Sequence, residues 1–112
     1  MKEIMKDKEG NILQIREYDR DGREIHYQNS FGTEFWNDYD ENGRLIHTKN
    51  HSNQENWYKY DENGNEIYHK YKDISKSGDI NIFEKWSKYD EHGRIIHHID
   101  SKGFERYFEY VD

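Results

Sequence analysis

Seven histidines and 24 carboxylates stand among ten tyrosines, five phenylalanines and three tryptophans in this 112-residue chain, which has no cysteine. Those side chains offer metal ligation, acid–base work by paired carboxylates, and stacking on aromatic rings. His26, His47 and His97 sit at equivalent points of a repeating pattern. Equivalent points of adjacent repeats fall two strands apart, about 9–10 Å from the strand spacing, whereas metal ligands converge to about 2.0–2.1 Å from one ion. The neighbours His97 and His98 point to opposite faces of a strand. Neither a metal nor a cofactor is expected.

Among the carboxylates, Asp19, Asp40, Asp61 and Asp90 recur with turns and read as structural. Glu24 and Glu66 are single polar positions. Glycosidase chemistry needs two carboxyls facing one cleft in different environments, and a flat sheet supplies no cleft. The sequence holds no nucleophile elbow, phosphate-binding glycine loop or zinc-binding helix motif. It reads as non-catalytic.

The elements that must position these residues come from a repeat. Tyr18-Asp19-Arg20-Asp21-Gly22-Arg23 returns as Tyr39-Asp40-Glu41-Asn42-Gly43-Arg44, Tyr60-Asp61-Glu62-Asn63-Gly64-Asn65 and Tyr89-Asp90-Glu91-His92-Gly93-Arg94, at intervals of 21, 21 and 29 residues. A fixed period of this length marks stacked supersecondary units. Asp19, Gly22, Asp40, Gly43, Asp61, Gly64, Asp90 and Gly93 are the turn residues. The third turn position varies, so the spacing predicts a type I turn closed by a left-handed glycine rather than an Asn-Gly turn. A polar break such as Asn50-His51-Ser52-Asn53 follows about ten residues later, the rhythm of an all-β meander. Pairing Tyr39 with Leu45 and Asp38 with Ile46 sorts the faces by parity. Trp36, Trp57, Trp86 and Tyr107 then join Ile25, Ile46, Ile67 and Ile96 on a dry, buried side. Tyr39, Tyr60, Tyr89 and Tyr110 join His26, His47, Tyr68 and His97 on a wetter one.

Composition agrees with sheet: alanine and proline are absent, and isoleucine appears 12 times. With 31% apolar residues the chain cannot fill a thick core. The predicted fold is all-β, an antiparallel up-and-down meander of hairpin repeats forming one curled sheet. It is read as a single domain over 1–112, with a degenerate cap at 1–17 and repeats from 18, 39, 60 and 89. The third repeat holds eight extra residues around Tyr68–Asp79. Four added to each strand keep every side chain on its face, which predicts an extended hairpin at about 68–84.

The net charge of −7 is spread along the chain. It disfavours direct nucleic-acid contact and suits a protein partner with a basic surface, such as a nucleic-acid-binding defence protein. Met1–Asp7 is charged where a signal peptide needs an apolar run, and nothing approaches a membrane span, so a cytoplasmic location is expected.

The Tyr-Asp-x-x-Gly-Arg blocks, with Leu45-Ile46 and Ile95-Ile96 after the turn, resemble the YD (RHS) repeat family over residues 18–112. A weaker likeness is to MORN-type repeat antitoxins. The YD resemblance implies hairpins joining into a long curling sheet, which large members close into shells around a toxin. Four units are too few to enclose anything, and Asn65 replaces the usual arginine. The expected function is binding: a small inhibitor or immunity-type protein, for example a phage or mobile-element anti-CRISPR. Glu41, Asp61, Glu62 and Glu91 would supply its charge, and Trp57, Tyr58 and Tyr71 its anchors. A homodimer through the thin apolar side would cover exposed surface. The alternatives are a carbohydrate-binding module and a structural fragment of a larger YD-repeat protein.

Overall fold

The computed structural model describes residues 1–111. Ten strands follow one another as an antiparallel meander: β1 (Lys2–Lys6), β2 (Ile12–Tyr18), β3 (Glu24–Asn29), β4 (Glu34–Tyr39), β5 (Leu45–Asn50), β6 (Glu55–Tyr60), β7 (Glu66–Ile74), β8 (Ile80–Tyr89), β9 (Ile95–Asp100) and β10 (Glu105–Tyr107). They form one open sheet in that order, and no described residue is helical. Two compact units divide the chain, Met1–Glu55 and the residues from Asn56 onward.

One turn design serves all nine connections. At Asp40 the side-chain Oδ1 accepts the backbone N–H groups of Asn42 and Arg44, both at 2.9 Å. Gly43 N–H donates to Asp40 O at 3.0 Å, and Asp40 N–H to Arg44 O at 2.9 Å. The same side-chain pattern recurs at Asp7, Asp19, Asn29, Asn50, Asp61, Asp90 and Asp100. Ser75 Oγ takes the place in the β7–β8 turn. The fourth position is left-handed throughout: glycine in eight turns, Asn53 (φ 61°) in the ninth. This is the type I turn closed by a left-handed glycine that the sequence predicts. Hydrogen bonding pulls Asp19 and Asp90 below the usual carboxylate range, Arg23 N–H and Arg94 N–H being the leading donors; at Asp7 the Asn11 side chain leads.

The expected register fails by one residue. Tyr39 does pair with Leu45, but Asp38 faces His47, not Ile46. Glu17 likewise faces His26, and Lys88 faces His97. Ile25, Ile46 and Ile96 are therefore bulge residues, skipped in the β2–β3, β4–β5 and β8–β9 registers. A bulge takes one residue out of the ladder and reverses the parity beyond it. Two residues assigned to the tyrosine face consequently lie with tryptophan: His26 pairs with Trp36, and Tyr68 with Trp86. In the second unit Ile67, Trp86 and Ile96 line one open hollow together with Tyr89, from the set assigned to the other face.

The dry side is not buried. No described residue is buried, and Trp36 and Trp86 keep 39% and 40% of their surface in water. The tyrosines meanwhile close gaps in the backbone: Tyr39 Oη donates to Glu24 O at 2.9 Å, and Tyr110 Oη to Ile95 O at 2.7 Å. Each hydroxyl caps a carbonyl next to a bulge. With no interior, the sheet rests on ladder hydrogen bonds and on cross-strand pairs of about 0.2–1 kcal/mol each.

A histidine–carboxylate ladder as the candidate functional site

In the first unit, the bulges at Ile25 and Ile46 aim two imidazoles at carboxylates on both neighbouring strands. His26 Nδ1 lies 3.2 Å from Glu17 Oε1 on β2, and its Nε2 lies 2.7 Å from Glu34 Oε2 on β4. Its ring stacks on Trp36, with centroids 5.2 Å apart and planes 11° apart. His47 repeats the arrangement between Asp38 Oδ2 (2.8 Å) and Glu55 Oε2 (2.6 Å).

Burial pushes both imidazoles toward the neutral form, but the hydrogen bonds outweigh it. Glu34 and Glu17 raise His26 above its ordinary value, and Asp38 and Glu55 do the same for His47. An imidazole serving two carboxylates donates from both nitrogens and is therefore the cation. Both ring nitrogens of His26 and of His47 thus lie within hydrogen-bond distance of a carboxylate. Among the described residues, no group of three or more His, Asp or Glu side chains is placed to hold an ion.

The second unit varies the theme. His97 Nε2 reaches Glu105 Oε2 at 3.1 Å and stacks on Tyr107 at 4.7 Å, while Lys88 takes the place of the upstream carboxylate. Tyr68 stands where the other repeats have histidine. It donates to Glu84 Oε2 at 2.5 Å, and Lys59 Nζ lies 5.2 Å over its ring. Burial, then that bond, pushes the phenol up to about 12.

Two of the tryptophans carry a neighbour against one ring face. Trp36 has His26 on one face, and Trp57 has Lys70 Nζ 5.1 Å from its ring centre.

The sequence-derived partner residues are dispersed. Glu41, Glu62 and Glu91 are exposed at turn tips. Asp61 is a turn acceptor, bound by Asn63 N–H, Asn65 N–H and Asn65 Nδ2. Trp57 and Tyr58 are consecutive on β6 and point to opposite faces. Tyr58 stacks on His69 at 4.6 Å, and burial raises its phenol, with Glu66 adding to the effect. Tyr71 donates to Asp73 at 2.9 Å and faces Phe83 across the long β7–β8 pair. The histidine–glutamate pairing escaped the sequence reading, although its signal is present: Glu34, Glu55 and Glu105 each lie eight residues after His26, His47 and His97.

No protein-family model matches the chain, and no curated protein does. Solved structures match. The crystal structure of TcdB2-TccC3-Cdc42 is similar over 87% of this chain, with TM-score 0.66 and 17% identity. This chain spans 6% of that one. A Tc holotoxin pore of Photorhabdus luminescens matches over 93% of this chain and 8% of its own, at 13% identity and TM-score 0.45. Only the first supports an argument, and at that identity the likeness is one of fold: an RHS/YD-like repeat sheet. Nothing in these matches supports the MORN likeness.

Proposed function

We propose that this chain is a non-catalytic scaffold, a stretch of YD-type repeat sheet that works by lying against other protein rather than by transforming a substrate. The observation that carries this reading is the absence of any buried residue among those described. A single layer that leaves Trp36 and Trp86 two-fifths exposed has a covering layer still to gain. The fold likeness, confined to a small fraction of a much longer chain, is in keeping with a wall segment.

A second reading, an acidic inhibitor or immunity-type protein occluding a basic surface, draws on Glu41, Glu62 and Glu91 standing exposed at turn tips. Site-specific photocrosslinkers separate the two in cells that make the protein. The scaffold reading expects protein adducts from positions 36 and 86. Adducts from positions 41, 62 and 91 alone would replace it with the inhibitor reading, and adducts at none of the five would overturn both.

A further inference from the structure

Among the described residues, no strand lies outside β1 or β10, and the side chains beside their outward backbone groups differ between the two. On β1, Met1 and Tyr18 exchange both backbone hydrogen bonds, and Asp7 N–H donates to Asn11 O. Odd residues of β1 therefore face β2, and the backbone of Lys2, Ile4 and Lys6 points outward. Just past β10, Phe108 N–H donates to Ile96 O, so even residues face β9 and the backbone of Glu105 and Tyr107 points outward, with Glu109 following at the same two-residue step. One edge thus reads Lys-Ile-Lys and the other Glu-Tyr-Glu, at the same two-residue spacing.

We infer that β10 of one copy pairs with β1 of a second copy, antiparallel, in a head-to-tail assembly. Tyr107 then faces Ile4, Glu105 faces Lys6 and Glu109 faces Lys2, and the outward backbone groups of all six residues are used. On the opposite face Phe108 meets Glu3, and Arg106 meets Met5 with Glu3 on its diagonal. The register brings both ion pairs and the aromatic–aliphatic pair into place together. Ile4 is 46% exposed and Tyr107 74%, so both have apolar surface to cover.

The charges also reject the other pairings. Two β1 edges in antiparallel register set Lys2 against Lys6, and two β10 edges set Glu105 against Glu109. Lysine on an edge strand is a common device against indiscriminate strand addition. Here the acidic edge converts that guard into a preference. Glu105 keeps its bond to His97 through Oε2, which leaves Oε1 for Lys6. Arg106 Nη1 at present donates to the outward Glu105 O at 2.8 Å and must swing aside for the new strand. Because the contact joins two different edges, it is heterologous and leaves each pair with one edge of either kind still to engage, unlike a two-fold dimer.

This inference deepens the scaffold reading by naming one partner, a second copy, and rests on that reading. The test is sedimentation of the full chain over a concentration series at low salt, alone and as charge variants. Wild type is expected to form an open series of oligomers that shortens in high salt. Lys2→Glu with Lys6→Glu, and separately Glu105→Lys with Glu109→Lys, should each be monomeric, because each gives like-charged edges. Mixing the two variants restores opposite charges at both junctions and should restore the series. Restoration also shows that both variants are folded. Wild type that stays monomeric, or variants that assemble unmixed as wild type does, would overturn the edge contact. The crosslinking at positions 36 and 86 reports on the sheet faces instead, so the scaffold reading and the edge contact fail by different results.

Discussion

His26 Nε2 sits 2.7 Å from Glu34 Oε2, eight residues further along the chain, and the same eight-residue step joins His47 to Glu55 and His97 to Glu105. Each step crosses one hairpin, so the contact ties a strand to the next one independently of the turn between them.

The two best-satisfied imidazoles give the first unit a defined response to pH. His26 and His47 both lie above the ordinary 6.5 when folded. Folding therefore retains protons that the unfolded chain would release, and the stabilisation is complete below 6.5 and fades as pH rises through the folded values. Urea midpoints should fall between pH 6 and pH 8. In a chain carrying His26→Gln and His47→Gln that fall should largely vanish.

The turn acceptor needs an oxygen, not a charge. Asp40→Ala removes the acceptor for two N–H groups and should cost about 1–2 kcal/mol in chemical denaturation. Asp40→Asn should cost little, because Asn29 and Asn50 already do the same work in other turns. Equal losses for the two substitutions would show that charge carries the effect.

At Gly22 nothing lies within 4 Å of a would-be Cβ, yet φ is +82°. Gly22→Ala should therefore destabilise through backbone strain alone, by about 1–2 kcal/mol. Gly22→Asn should recover most of that loss, as Asn53 at φ 61° shows. Thermal melts of the pair check it.

Tyr68 should ionise far above an ordinary tyrosine, at about 12, in a spectrophotometric titration. The folded state then holds a proton that the unfolded state releases near 10, so stability falls as pH rises from about 10 toward 12. Glu84→Gln should bring the midpoint down toward the ordinary value, though burial keeps it from arriving there. Tyr68→Phe should cost about 1 kcal/mol at neutral pH.

Strand number, turn type and the all-β class were legible because they rest on local features: an aspartate, a glycine three residues later, and turn signals about every ten residues. The long β7 and β8, nine and ten residues, hold the extra material of the third repeat. The pairing of faces was not legible, since it turns on whether Ile25, Ile46 and Ile96 stay in the ladder. Leu45-Ile46 is equally compatible with a regular strand and with a bulge. Tyr39 settles the matter in three dimensions, by donating to Glu24 O beside the first bulge, a contact 15 residues back that no local pattern announces. Without the bulge, parity sets His26 on the tyrosine face; with it, His26 lies beside Glu17 and Glu34.

Nine corners of one design link each strand to the one just before it. Nothing in such an arrangement waits for a distant segment, so the ordering of the polypeptide can start at any corner and spread outward. The same economy leaves room for change: a hairpin can lengthen without rewiring its neighbours, as β7 and β8 do at nine and ten residues.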